Sequence, residues 1–157
     1  MFRLLKRENQ QIDSAKCRLI LGNEKRGVLA LEGRDGYPYA LPIDYVYDEQ
    51  KNALYFHSAR EGHKMDAIMH NDHASFCVMG PDTFKDSWAP FVDSVIVFGK
   101  IHIVTDRNAA LKQLKAIGKK YFPIDEYPEG SAEKNVGRVY ILCMEIDHMT
   151  GKTVHEK

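Results

Sequence analysis

Residues 26–58 read RGVLALEGRDGYPYALPIDYVYDEQKNALYFHS, and the side-chain period in this stretch decides the fold class. RGVLALEG alternates in the manner of a strand, and the RDG that follows has the composition of a tight turn. YPYALPIDYVYD is a longer extended segment. Pro38 and Pro42 keep it out of any helix and mark an edge or bulged strand, where a missing N–H costs no ladder bond. The polar cluster DEQKN then turns the chain back into ALYFHSA. The spacing predicts an antiparallel meander over 26–58.

The pattern changes on both sides of that meander. Upstream, Asp13 can cap a helix over SAKCRLILGN, with Cys17, Ile20 and Leu21 at helical spacing and Gly22 able to stop it. Downstream, Gly62 and His63 lead into GHKMDAIMHN, a short helix whose apolar face would be Met65, Ile68 and Met69. ASFCVMG returns to strand, and PDTFKDSWAP is a turn-rich loop. FVDSVIVFGKIHIVTD is a long strand whose continuous apolar run suggests burial on both faces at its centre. RNAALKQLKAIGKKYF is a helix capped by Asp106 or Asn108, with Leu111, Leu114 and Ile117 inward and lysines at its C-terminal end, where the dipole favours them. PIDEYPEGSAEKN reads as an exposed linker, VGRVYILCMEID as a final strand, and HMTGKTVHEK as a polar tail. About six mostly antiparallel strands with three inserted helices describe an α+β domain built around a barrel. One domain over 1–157 is expected, with a core of about 10–148 and a tail at 149–157.

Bulk composition limits the function classes. Of 157 residues, 44% are hydrophobic, and 22 basic residues balance 22 acidic ones. Zero formal charge argues against a broad nucleic-acid footprint and offers little protection against self-association. MFRLLKRENQ is too short and too soon interrupted to be a signal h-region or a membrane span, so a cytoplasmic location is expected. Cys17, Cys77 and Cys143 are odd in number, widely spaced and set among apolar residues, which reads as buried free thiols. Neither a GxGxxG nor a GxxxxGK[ST] occurs, and TGK at 150–152 would lie in the tail.

The stretch FHSAREGHK, 56–64, holds the chemistry. Helix starts favour carboxylates, yet His63 and Lys64 gather at this one. Free N–H groups around Gly62, the Lys64 ammonium and the Ser58 hydroxyl would together suit a phosphate. The alternative is that Glu61 neutralises Lys64 with both side chains in solvent. His57, His63, His70 and His73 raise a metal site, but His63 and His70 lie ~10 Å apart along a helix axis. Asn71-Asp72 is also better suited to ending that helix than to continuing it, and no HExxH spacing supports a metal. Ser58 beside His57 is only a sequence neighbour, and Cys77 reads as core. Tyr37, Tyr39, Tyr45, Tyr47, Tyr55 and Phe56 are either cross-strand packing pairs or walls for a flat aromatic ligand.

Taken together, residues 27–78 resemble the flavin-binding core of the pyridoxamine 5′-phosphate oxidase-like split-barrel superfamily, most of all the branch that includes the 5-nitroimidazole-resistance proteins. The resemblance rests on DGYPYALPIDYVYD, on LYFHSAREGHK and on SVIVFGK at 94–100, and runs from about residue 10 to residue 148. It implies a six-stranded, mostly antiparallel split β-barrel with flanking helices, forming a homodimer with one FMN in each of two clefts at the subunit interface. It further implies that Ser58 and Lys64 bind the FMN phosphate with His57 beside them, that the backbone of Leu41, Pro42 and Ile43 runs along the ring, and that Ser94 supplies a polar ring contact. His57 matches a strand-end histidine near the active centre and is the candidate proton donor. His63 stands where an arginine is often found. Arg138 is the only arginine in the last thirty residues, which argues against activity on pyridoxamine phosphate. The expected function is electron transfer from FMN to a small aromatic or nitro-bearing acceptor, with a non-catalytic flavin- or haem-binding module as the alternative and no role for nucleic acid or membrane.

Overall fold

A computed structural model of the chain describes residues 2–85, 88–122 and 130–155. The middle of the expected turn-rich loop, 86–87, most of the expected linker, 123–129, and the last two residues of the expected tail lie outside the described residues. Strands β1 (Gln11–Ile12), β2 (Arg26–Glu32), β3 (Pro38–Asp44), β4 (Val46–Asp48), β5 (Ala53–Ser58), β6 (His73–Met79), β7 (Phe91–Ile103) and β8 (Tyr140–His155) are accompanied by helices α1 (Ser14–Asn23) after β1, α2 (His63–His70) after β5, and α3 (Arg107–Tyr121) and α4 (Ser131–Asn135) after β7. Six strands have six or more residues; β1 and β4 are two- and three-residue additions. Every pairing is antiparallel. The α+β split-barrel expectation holds.

The strand order is β3-β2-β6-β7-β8-β5-β4, with β1 added on β8. The two strands at the ends of that path, β3 and β4, are separated in sequence by one residue, Tyr45. A flat sheet cannot put chain neighbours at opposite edges, so the sheet curls back on itself and Tyr45 forms the corner. This corrects the meander: 26–58 makes two hairpins, β2–β3 and β4–β5, and β5 pairs with β8 rather than with β3. Tyr45 is fully buried and its hydroxyl donates to the Leu21 carbonyl of α1 at 2.9 Å.

Two apolar clusters divide the side chains by the two-residue period of the strands. Leu29, Leu31, Leu54, Phe56, Phe76, Val95, Val97 and Met144 fill the barrel, joined by Leu21 of α1 and Met65 and Ile68 of α2. Ala53, Tyr55, Ile141 and Cys143 face outward against Leu114 and Ile117 of α3 and Ala132 of α4. The strands covered on both faces are therefore β5 and the start of β8, not the centre of β7 as its composition suggested. Along β7, Val95, Val97 and Ile101 are buried while Ile96 and Phe98 remain exposed.

The N-terminal caps of α1 and α3 follow the sequence, while α1 runs past Gly22 to Asn23. Asp13 accepts the Lys16 N–H at 2.7 Å and Asp106 accepts that of Ala109 at the same distance. Four local expectations change. Met69 points to solvent and Ala67 takes its place in the core. The end of the expected linker coils into α4. Cys77 is half-buried on the outer face, while Cys17 and Cys143 are buried. The expected tail is strand as far as His155, because residues 149–155 complete the ladder with β7. Gly151 of the TGK triplet packs beneath Ile12 and Cys17, where a Cβ would fall 2.4 Å from the cysteine sulfur.

Candidate functional site

Strand β5 ends at His57 and Ser58, and four residues later Gly62 opens α2. Gly62 has φ +112°, a conformation that favours glycine. No side chain caps this helix start, so its first N–H groups are left to another partner. The Ser58 side chain is 3% exposed, and its hydroxyl donates to the Ala59 carbonyl at 2.8 Å. In this rotamer its proton is given to the chain.

Lys64 is half-buried, and desolvation holds its ammonium below the ordinary lysine value. Among the described residues no carboxylate forms an ion pair with it, Glu61 included. The Glu61 neutralisation left open by the sequence is absent from this arrangement. His57 keeps solvent access, yet desolvation by its surroundings pushes its pKa below 6.5. The Lys64 charge pushes it further down, and Asp44 opposes both. Asp44 is itself engaged by Arg26 at 3.0 Å.

His63 stacks on Tyr39, with ring centroids 4.0 Å apart and planes at 23°. This contact ties the start of α2 to β3. Tyr39 and Asp44 were not singled out from the sequence for these roles. For Tyr39 the signal was available, since it shares a face with Leu41 and Ile43 by period two.

Strand β3 supplies the third side. Among the described residues it pairs only with β2, so among them its other edge has no strand partner. Pro42 is exposed there and has no N–H to lose. Ile43 is buried and Leu41 partly buried against the barrel core, leaving main chain rather than side chains to meet a ligand. Ser94 is not part of this grouping within one chain. It lies on β7 opposite Met79 and Lys152, three strand steps and roughly 14 Å from β3.

The remaining aromatic residues are mostly packing. Tyr45 and Phe56 meet Phe76 edge-on inside the barrel, Tyr55 is buried under α3, and Tyr37 is exposed. The histidines scatter: His70 closes α2, and His73 opens β6 beside Asp72. No group of three possible metal ligands occurs among the described residues, and among them no helix is long and apolar enough to cross a membrane.

Among the described residues, a partly buried cation without a counter-ion, an uncapped helix start and a strand edge without a partner form three sides of one region. They fit a flat ring carrying a phosphate: an anion at Lys64, and a polar-edged ring along β3.

Comparisons with known proteins bear on the family and the fold that frame this region. The family model described as pyridoxamine 5′-phosphate oxidase matches residues 13–153. Among curated proteins none matches the sequence. A solved candidate 5-nitroimidazole antibiotic resistance protein from Bacteroides thetaiotaomicron superposes with a TM-score of 0.80 at 21% identity, covering 92% of this chain and 87% of that one. A FAD-binding protein from Mesorhizobium loti gives 0.65 at 21% identity over 92% and 97% of the two chains. A FAD and haem binding protein from Mycobacterium smegmatis gives 0.75 at 20% identity over 94% and 74%. At such identities the structural likeness speaks for the fold.

Proposed function

The chain belongs to the pyridoxamine 5′-phosphate oxidase family, and from that premise we propose that it is a homodimeric flavoprotein. It holds an FMN unit between β3 and the β5–α2 turn and passes electrons to a small aromatic or nitro-bearing acceptor. The observation that carries this reading is Lys64, a half-buried ammonium with no carboxylate partner among the described residues. Leaving a cation partly desolvated and unpaired is costly, and a phosphate dianion would remove that cost. A bound flavin supplies the redox chemistry. Around it, Lys64 and the first N–H groups of α2 fix the phosphate, and the free edge of β3 orients the ring. His57 is the group placed to deliver a proton from its imidazole to the reduced acceptor.

Two further features support the choice of acceptor and location. The 5-nitroimidazole resistance relative shares the fold over most of its length, and Arg138 is the only arginine among residues 128–157, which favours an acceptor other than pyridoxamine phosphate. The three cysteines are free, which suits a cytoplasmic protein.

The test has two stages. Purified protein should show flavin absorbance or take up added FMN, and Lys64→Ala should weaken FMN retention at least about ten-fold, the worth of one charge-assisted hydrogen bond. Flavin-loaded protein with NAD(P)H should then reduce a nitroaromatic faster than free FMN does. Tight FMN retention by Lys64→Ala removes the phosphate role. Retention without turnover leaves a flavin- or haem-binding module.

A further inference from the structure

A cleft of about 680 Å³ runs under α3, on the outer face of β5, β8 and β7, and no residue given to the flavin lines it. That volume suits a small molecule. Its floor is one outward row of the sheet: Tyr55 is the register partner of Cys143, and Cys143 that of His102. Ala53 and Val104 extend the floor. The two walls are polar and stand on different elements. Glu145 and Asp147 line the cleft from β8, Asp106 and Gln113 from α3. At the irregularity between Phe98 and Gly99, His148 pairs with Phe98 and Ile146 with Gly99, so Asp147 has no register partner. Such a bulge re-aims a side chain.

The hydrogen-bonding needs of both walls run one way. Asp106 accepts the Ala109 N–H through one oxygen and keeps the other. Gln113 is only 4% exposed, yet its amide nitrogen reaches the Asp48 carboxylate at no better than 3.5 Å. A carboxylate only accepts, so the nitrogen is the atom turned to Asp48 and the carbonyl oxygen is left over. No donor reaches that oxygen among the described residues, and an unmatched buried acceptor is costly. Among the same residues none of the three carboxylates is in an ion pair. Lys51, the one lysine of the lining, has no carboxylate partner either; its ammonium lies 5.9 Å from the Tyr55 ring centroid. Three carboxylates and an amide oxygen call for positive charge and N–H donors at each wall. No group of three possible metal ligands occurs among the described residues, so these acceptors are too dispersed to share one ion.

We propose that this cleft binds a linear alkyl diammonium ion, with one ammonium at Glu145 and Asp147 and the other at Asp106 and Gln113. The methylenes between them lie along Tyr55 and Ala53, where apolar burial and the face of the ring both favour them. Dispersed acceptors on two walls select a ligand with two separated charges over a point cation. Lys51 competes for the same field, so it weakens the site rather than building it.

Equilibrium dialysis of the purified chain at low salt, where exposed carboxylates are least screened, tests it. The probes are 1,4-diaminobutane and 1,6-diaminohexane, each beside the monoamine of the same chain length. The proteins are wild type, Glu145→Gln/Asp147→Asn and Lys51→Ala. All three substituted side chains are exposed, and Asp106 is kept because it caps α3; circular dichroism checks that both variants fold. Wild type should hold the tighter diamine at least about ten-fold more strongly than its monoamine. The double variant should lose that preference, and Lys51→Ala should bind the diamine more tightly than wild type. Magnesium chloride at matched ionic strength should not displace the diamine. Equal binding of monoamine and diamine overturns the two-walled site, and so does a preference that survives in the double variant. Weaker binding by Lys51→Ala, displacement by magnesium or binding of neither diamine also overturns it, and none of these outcomes touches the flavin reading.

Discussion

His57 stands in the field of Lys64, and the charge at Lys64 decides when His57 is protonated. With no anion present, desolvation and then the Lys64 cation hold the imidazole below 6.5, its unfolded value. The unfolded chain therefore binds a proton at a higher pH than the native one does. This contribution to stability is complete above pH 6.5 and is lost as pH falls toward the native pKa. Thermal melts of ligand-free protein should show a fall in Tm below pH 6.5 that is smaller in His57→Gln. An anion on Lys64 reverses the sign. It cancels the repelling charge and raises the His57 pKa, so FMN binding should take up a proton and tighten as pH falls through this range. The phosphate has its own second ionisation near 6, common to both proteins, so the difference in FMN affinity between wild type and His57→Gln isolates the imidazole. Identical pH profiles for the two would separate His57 from the phosphate site.

At the scale of elements, the barrel is closed by a corner and a clasp. Tyr45 turns the chain from β3 to β4, and its N–H is accepted by the Tyr121 hydroxyl of α3 at 2.7 Å. The same hydroxyl lies in donor reach of the Tyr45 and Lys25 carbonyls, and burial pushes its pKa up to about 12. Lys120 beside it bonds the Glu24 carbonyl at 2.6 Å and lies 4.1 Å from the Tyr45 ring centroid. Ile43 and Asp44 immediately precede this corner, so the clasp also sets where β3 ends beside His57. Tyr121→Phe should lower stability by about 1–2 kcal/mol, the cost of leaving part-buried backbone groups unpaired, and should weaken FMN retention with it. Urea titration and dialysis check the pair; unchanged values for both would mean that the corner holds itself. The corner also shows where reading the chain runs out. Asp13, Asp106 and Gly62 announce their helix starts locally, and so does the turn that gathers His57, Ser58 and Lys64. YPYALPIDYVYD reads as one extended run because nothing in it marks Tyr45; the break is imposed by β2 on one half and β5 on the other. HMTGKTVH reads as a polar tail for the same reason, since only its pairing with β7 makes it a strand. The distance from Ser94 to Lys64 depends on strand order, which side-chain period does not encode.

At the scale of the whole molecule, the face of the sheet opposite the barrel core carries a run of exposed apolar side chains. In register across four strands, Val28 pairs with Cys77, Cys77 with Ile96, and Ile96 with Thr150. Val28 is 42% exposed, Ile96 37% and Phe98 36%, with Met79 more open still. Part of this band is already covered from within the chain: the Phe2 ring stacks on His148 at 4.4 Å and lies 5.5 Å from Phe98. What remains joins neighbouring strands into one patch, the kind of surface that marks an interface, and a chain of zero formal charge has no net repulsion to keep copies apart. Ser94 lies on this band, away from Lys64 within one chain, so a second copy seated here is the arrangement that would bring a β7 surface to a β3 edge. Ile96→Lys places a charge at the centre of the patch, outside the barrel core and distant from Lys64. Sedimentation equilibrium should find wild type dimeric and Ile96→Lys monomeric. Because a cleft shared between copies exists only in the dimer, FMN retention in the variant should fall and should recover as protein concentration rises. A wild type that stays monomeric at micromolar concentration removes the dimer. A monomeric Ile96→Lys that keeps full FMN affinity would instead confine the whole flavin site to one chain, with Lys64, His57 and β3 sufficient to hold it.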